Sequence, residues 1–485
     1  MSIDERLKII FIGIIMGVIF NYFFVDRLLG ISVVMYVCIF LSLTIWTIRK
    51  EEYRVNKFSW VLLLSIILLC LSFGIYNNEV LNYINMVLIP LLIVSYLCII
   101  SYEEMNILNF NFLKNILKKI TVGSVTNSYE FTDWTIEHSK EISKKSKNNT
   151  IYRGILKGIL ISCPLLIIII KLLSSADMVF AYYTSDIYEG VINMNRNIFF
   201  IRTLVFLLVS LYTIGFIANF KYEYKENINK KIINIKLWEP ITLLTIIFFI
   251  SIVYGLFTSI QFSYLYGGVK NVLPGGLSHA SYARRGFFEL IFVTLINFVI
   301  LMLFMKFSKK DNEKLNKLMD LSYSVLVVFT CNMLVSAAYK MALYEERFGY
   351  TRLRLFVESF MALLGLVLVI LLLSIWIKKI PLCKSVAVCT LIVYISLNFM
   401  NVDKIIAKKN IERYDKDYGI DMGYMASLSC DATEEIEVLL KSQSILVVDG
   451  AKKCLKIIDN KTHKGSYWYE YNYYKNKLEK VMKNI

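Results

Sequence analysis

Two glutamates inside long apolar stretches are the residues whose type and spacing could support chemistry. Glu289 and Glu358 each lie about one turn inside a predicted membrane-spanning helix, and each follows an arginine by four residues, Arg285 and Arg354 respectively. Side chains at this spacing share one helix face, so each arginine can pair with its glutamate. Charge inside a bilayer is costly and indicates a functional site, although an ion pair that only lowers the cost of burial explains the same spacing.

The functional interpretation is a polar cavity that opens to the outside and contains more cations than anions. Such an excess of arginine and lysine favours an anionic ligand, such as a lipid headgroup phosphate or a carboxylate. The residues predicted to line the cavity are Arg202, Arg284, Arg285, Glu289, Lys340, Arg352, Arg354 and Glu358.

Motifs of the common enzyme classes are absent from the sequence. It contains no HExxH, paired CxxC, GxSxG, Walker or dinucleotide-binding motif. The three histidines, His138, His279 and His463, lie in separate segments, so we predict no metal site and no cofactor.

The elements that position these charges are predicted to be membrane-spanning helices. The chain has 485 residues, is 57% hydrophobic and contains five prolines. Apolar runs close to the ~20 residues that cross a bilayer as a helix recur along it. We predict an all-α, polytopic integral membrane bundle of about eleven spans, with ten and twelve left open. The predicted spans are 9–25, 28–47, 58–76, 80–100, 155–173, 199–220, 240–263, 286–306, 321–343, 355–377 and 383–401.

Basic residues are concentrated in alternate loops between these spans. The formal net charge is +16, which fits either nucleic-acid binding or the positive-inside bias of membrane proteins. Because the basic residues lie between spans, we predict the second and no nucleic-acid partner. With eleven spans, the base-rich loops share one side, which places the N-terminus in the cytoplasm and the C-terminus outside. An error of one span would reverse the position of the tail.

The chain divides into four predicted parts. They are four N-terminal spans (1–100), a basic cytoplasmic connector (101–154), a seven-helix membrane core (155–401) and a small extracytoplasmic helical tail (402–485). Within the connector, 106–119 is predicted as an amphipathic helix whose lysine face suits anionic lipid; a solvated linker helix is the alternative.

Two cysteines of the tail have two possible states. Cys430 and Cys454 can form a disulfide if the tail is outside the cell, where thiols are oxidised. The alternative is two free buried thiols.

Several stretches resemble one family of bacterial polytopic membrane proteins, catalogued as a domain of unknown function and found mainly in Gram-positive anaerobes. The clearest are YGLFTSIQFSYLYGG (Tyr254–Gly268), SYARRGFFEL (Ser281–Leu290) and MALYEERFGYTRLR (Met341–Arg354). The others are NVDKIIAKKN (Asn401–Asn410), YMASLSCDA (Tyr424–Ala432), Trp468 with Tyr471-Asn472, and Ser175-Ala176-Asp177 with Phe180. The chain departs from the family at Phe348, where a tyrosine is expected before the glycine.

The resemblance covers about residue 150 to the C-terminus, and the first four spans are similar only in hydropathy. It implies the multi-span topology, a bacterial plasma membrane and the same charged residues, but no reaction. Three classes of function therefore stay open. Transport or lipid handling at the polar cavity ranks first, and signalling or assembly through a protein partner of the tail ranks second. A membrane-embedded enzyme that uses Glu289 or Glu358 as acid or base ranks last.

Overall fold

The computed structural model describes residues 3–48, 56–101, 116–129, 131, 197–221, 238–261, 287–309, 312–414, 419–462 and 467–483. This part of the chain is all-α, and its only β-type pairing is an isolated bridge between Trp238 and Ser308. The helices are α1 (Ile3–Phe24), α2 (Ile31–Ile48), α3 (Lys57–Ile75), α4 (Glu79–Ser101), α5 (Asn197–Lys221), α6 (Pro240–Gln261), α7 (Phe287–Phe307), α8 (Glu313–Phe348), α9 (Arg352–Trp376), α10 (Leu382–Phe399), α11 (Val402–Tyr414), α12 (Met422–Met425), α13 (Thr433–Val438), α14 (Ile445–Lys461) and α15 (Tyr473–Met482).

Long apolar helices form the body of the protein, as the hydropathy of the sequence predicts. Within the described ranges, ten helices, α1 to α10, are long and apolar enough to cross a bilayer. Each coincides with a predicted span, and the remaining predicted span, 155–173, lies outside the described residues. The all-α, multi-pass architecture is therefore confirmed.

The largest difference from the predicted boundaries occurs at α8. This helix runs from Glu313 to Phe348, well past both ends of the predicted span 321–343. It ends because Gly349 adopts a φ of 83°, a left-handed conformation that favours glycine after a helix. No glycine or proline precedes it within the helix, so α8 continues beyond the apolar run and keeps Glu345 helical.

The membrane helices form two groups with separate hydrophobic cores. Helices α1 to α5 share one core, which we call the first helix group, and α6 to α9 share another, the second helix group. Helix α10 packs against α3 of the first group and α9 of the second. Among the described residues, its buried side-chain bonds to other helices go to the first group: Tyr394 Oη donates to Asn85 Oδ1 at 2.6 Å, and Asn85 Nδ2 donates to Asn398 Oδ1 at 2.7 Å.

Part of the predicted connector packs closely on α5. Residues 116–129 are helical and include a π-helical turn, Lys119–Gly123. Ser128 Oγ donates to the Leu211 carbonyl at 2.7 Å, and Tyr212 Oη donates to the Ile120 carbonyl at 2.9 Å. Most of the predicted amphipathic helix 106–119 lies outside the described residues, and the cytoplasmic location of the connector stays a prediction.

Gly215 of α5 allows this close contact. A β-carbon at Gly215 would lie 2.0 Å from the Ser124 carbonyl oxygen and 2.0 Å from Ser128 Oγ.

We therefore expect Gly215→Ala to destabilise the protein by about 1–3 kcal/mol, since the two helices must separate. Gly255→Ala in α6 is the matched control, because its β-carbon would have Phe329 as its nearest neighbour at 3.9 Å. Thermal unfolding of both purified variants tests this, and equal melting temperatures would contradict it.

Candidate functional site

The tail helices α11 to α15 lie on one end of the membrane bundle, against the turns that join α1 to α2, α3 to α4 and α8 to α9. Asn472 Nδ2 donates to the carbonyls of Phe73 and Tyr76 at 2.9 and 3.0 Å. Asn410 accepts from Tyr350 N at 2.9 Å and donates to the Tyr350 carbonyl at 3.0 Å. These backbone contacts fix the position of the tail on both helix groups.

A buried carboxylate, Asp403 at the start of α11, connects the tail to both helix groups. Its side chain is fully buried. Arg352 at the start of α9 donates through Nε at 2.7 Å and through Nη2 to the other oxygen. Asn78, between α3 and α4, donates through Nδ2 at 3.1 Å, and Ser429 donates through its backbone N–H at 2.9 Å. Arg352, predicted to line the cavity, thus forms a bidentate ion pair with the tail.

A second buried carboxyl, Asp431, lies close to Asp403. Its two oxygens accept from the Asn77 backbone N–H at 2.8 and 3.0 Å. Burial, followed by the neighbouring negative charge of Asp403, raises the pKa of the Asp431 carboxyl to about 8. This carboxyl therefore titrates near neutral pH, at the contact between the tail and the turn that joins α3 to α4.

Removing Asp403 should loosen the tail. Asp403→Ala leaves the Arg352 guanidinium without its carboxylate in a largely buried position, and we expect a loss of about 3–5 kcal/mol. The matched control is Glu412→Ala, which removes a half-exposed pair with Lys409 at 3.4 Å and should cost at most about 1 kcal/mol. Thermal unfolding and limited proteolysis of the tail measure the effect; equal protection of the tail in both variants would exclude the proposed role of Asp403.

The Asp431 carboxyl should make docking of the tail depend on pH. Its folded pKa of about 8 lies above the ordinary value of 3.8, so the folded protein holds this proton where the unfolded chain has lost it. The stabilisation is complete below about pH 4 and is lost as the pH rises through about 8. We expect the melting temperature to fall between pH 5 and pH 8.5, and the fall to be smaller in Asp431→Asn. An unchanged slope in that variant would assign the dependence to other groups.

Charged side chains also lie near the tail, where α7 and α9 begin and α8 ends. We call Glu289, Lys340, Glu345, Arg354 and Glu358 the outer polar site, where "outer" means the end of the bundle that carries the tail. Lys340 is 8% exposed and close enough to Glu289 for their charges to interact. Glu345 is 1% exposed, and its carboxyl faces that of Glu358 on α9. Glu345 Oε1 has no hydrogen-bond partner among the described residues.

Arg354 lies at the edge of this site, and its closest contacts are with Gly349 and Tyr344, which precede it in the sequence. Its Nη1 donates to the Gly349 carbonyl, and its guanidinium lies 4.3 Å from the centre of the Tyr344 ring. Its charge also acts on Glu345. The local structure explains this geometry, because Arg354 is in the first turn of α9, where Thr351 caps the helix by accepting from Arg354 N.

The remaining predicted cavity residues are not all brought together. Arg202 belongs to α5, which packs against α1, α2 and α4 of the first helix group. Its backbone carbonyl accepts from Asn21 Nδ2 at 2.6 Å. Arg284 and Arg285 lie outside the described residues, so the Arg285–Glu289 pair stays a prediction.

Sequence reasoning missed Glu345 because it ended the span at residue 343. The signal that could have identified Glu345 is the unbroken run of helix-forming residues up to Gly349, which places Glu345 on the same helix as Lys340.

The two tail cysteines are free in the structure. Cys454 Sγ donates to the Met422 carbonyl at 3.1 Å, and Cys430 Sγ lies 3.9 Å from Asp431 Oδ1. Burial raises the pKa of the Cys430 thiol well above its usual value.

Among the described residues, no group of three histidine, cysteine, aspartate or glutamate side chains is arranged to hold a metal ion. The three histidines lie outside those residues.

These features define a multi-pass α-helical membrane protein with a helical C-terminal tail docked on one end of its bundle. Residues 63–439, more than three quarters of the chain, match the family described as "Domain of unknown function (DUF4153)", and the chain belongs to this family. The match begins within α3, earlier than the expected start near residue 150, and ends at Leu439, before Trp468 and Tyr471. No curated protein and no solved structure matches the chain.

Proposed function

We propose that the protein transports a polar solute or handles a lipid headgroup at the outer polar site. The supporting observation is the burial of Lys340 and Glu345, opposite charges on one membrane-spanning helix, each beside a charged group of a neighbouring helix. Ion pairing alone does not explain Glu345, because its carboxyl faces the carboxyl of Glu358 as well as the charge of Arg354. Two adjacent carboxyls cannot both be ionised at low cost, so such a pair is suited to holding a proton.

The ligand that we propose is anionic, and its negative group binds on the Lys340 side of the site. Arg284 and Arg285 directly precede α7 in the sequence and add cationic charge to that part of the chain. The cationic excess is smaller than the sequence predicts, because Arg352 is paired with Asp403 and Glu345 adds an acid. The Glu345–Glu358 pair then carries a proton that accompanies the anion.

The membrane that we propose is a bacterial plasma membrane, with the N-terminus in the cytoplasm and the tail outside. Two of the turns that the tail contacts, those that join α1 to α2 and α3 to α4, belong to the base-poor set of loops. The opposite end of the bundle carries the base-rich loops, where Lys378 lies 3.6 Å from Asp320. The positive-inside bias then assigns that end to the cytoplasm.

A second candidate function is signalling or assembly through a partner of the tail. Its support is an exposed apolar surface at the start of α14, where Ile445 is 78% and Leu446 85% exposed. Large exposed apolar side chains of this kind often mark contact sites for other proteins.

The test of the proposed function compares buried and exposed charges of α8. The full-length protein is titrated with inorganic phosphate and with phosphatidylglycerol, and ligand-induced thermal stabilisation is measured. We expect at least one probe to stabilise the protein. Lys340→Met should lower the affinity for that probe about tenfold or more, because the anionic group of the probe no longer has the Lys340 ammonium to bind. Glu345→Gln should alter the pH dependence of binding, since it removes one of the two carboxyls.

The matched controls are Lys317→Met and Glu346→Gln, whose side chains are exposed on the same helix. Both should bind the probe as the unmodified protein does. The proposal fails if neither probe stabilises the protein, or if Lys340→Met and Lys317→Met bind equally well. Circular dichroism of each variant confirms that it is folded.

A further inference from the structure

Buried and half-buried polar side chains form hydrogen-bonded contacts in the second helix group. Tyr254 Oη donates to Asn297 Oδ1 at 2.7 Å, and Asn297 Nδ2 donates to Thr330 Oγ1 at 3.0 Å. About one turn closer to the outer end, Asn332 Nδ2 donates to Thr258 Oγ1 at 3.3 Å. These bonds join α6, α7 and α8, and their polar groups are satisfied by one another.

The next layer towards the outer end contains polar groups that are not satisfied. Helices α6 and α8 run in parallel, with Tyr254 beside Phe329 and Thr258 beside Asn332. The same offset places Gln261, at the end of α6, level with Ser336 of α8.

Ser336 and Lys340 follow Asn332 at intervals of four residues and so lie on the same side of α8. Gln261 and Ser336 therefore share one level, between the hydrogen-bonded layer and Lys340 of the outer polar site.

Both neutral side chains of this layer are buried without partners. Gln261 is 5% exposed and Ser336 is fully buried, yet Gln261 Oε1 and Ser336 Oγ bond to no described residue. A buried polar atom without a partner costs about 1–3 kcal/mol. Other buried hydroxyls without described partners, such as Ser32 and Ser210, belong to the first helix group. Ser336, by contrast, precedes the buried Lys340 by one helical turn on the same side of α8.

We propose that Gln261, Ser336 and Lys340 bind a glycerol phosphate group. The Lys340 ammonium takes a phosphate oxygen, the Ser336 hydroxyl donates to a second oxygen, and Gln261 Oε1 accepts from a glycerol hydroxyl. The same chemistry occurs in free glycerol phosphate and in the headgroup of phosphatidylglycerol. The inference rests on the proposed function, because it names the ligand class and the deeper contacts of that site.

The experiment separates the hydroxyl contact from the phosphate contact. The full-length protein is titrated with glycerol phosphate and with methyl phosphate, which carries no carbon-bound hydroxyl. Gln261→Met should lower the affinity for glycerol phosphate about fivefold to tenfold and leave the affinity for methyl phosphate unchanged, because the substitution removes only the acceptor of the glycerol hydroxyl. Ser336→Ala should weaken both ligands, because it removes a donor to phosphate.

Matched controls replace residues of the same types away from the site. Ser322 is a half-buried residue of α8 whose hydroxyl donates to the Leu318 carbonyl, and Gln443 is exposed on the tail; neither Ser322→Ala nor Gln443→Met should change binding. Competition between glycerol phosphate and phosphatidylglycerol vesicles, with phosphatidylcholine vesicles as blank, identifies the source of the group. Binding of either source supports the site.

Two outcomes distinguish this inference from the proposed function. If Lys340→Met abolishes binding while Gln261→Met and Ser336→Ala change neither ligand, the proposed function stands and the glycerol phosphate site is wrong. If the unmodified protein binds no anionic probe, both are wrong.

Discussion

The buried charge of Asp403 is the constraint on which the arrangement of the tail and both helix groups depends. Removing a carboxylate from water costs several kcal/mol unless its oxygens are bonded. Here the bonds come from Arg352, Asn78 and Ser429, which belong to the second helix group, the first helix group and the tail. Because the full set exists only when all three parts are in place, docking of the tail is cooperative.

This docking places the tail directly above the outer polar site. Arg413 donates to the carbonyls of Glu346 and Arg347 at 3.0 and 3.1 Å, and Tyr424 Oη accepts from Arg352 N at 2.8 Å. The turn between α8 and α9 is thus held from above, and the facing carboxyls of Glu345 and Glu358 lie just beneath it. The family match contains both this turn and the α11 residues that hold it, so the contact lies within the shared part of the chain.

The sequence allowed prediction of the helices but only part of the site. Apolar length predicts ten described spans because crossing a bilayer is a local requirement of each helix. The pairing of Arg352 with Asp403 joins residues 51 positions apart in different elements, so no helical spacing reveals it. Arg354 shows that the correct spacing is not sufficient to predict a contact. It precedes Glu358 by four residues on the same helix, but because it lies in the first helical turn, its side chain reaches back to the Gly349 carbonyl.

The unequal contacts of α10 have a mechanical consequence. Its polar bonds through Tyr394 and Asn398 go to Asn85 on the first helix group, whereas no described side-chain hydrogen bond joins it to α9. Apolar surfaces can slide by small steps without breaking directional bonds, but the amide and phenol contacts cannot. In any shear between the two groups, α10 therefore travels with α3 and α4 as one rigid body. Such a shear would slip between α9 and α10, beneath the Arg352–Asp403 pair.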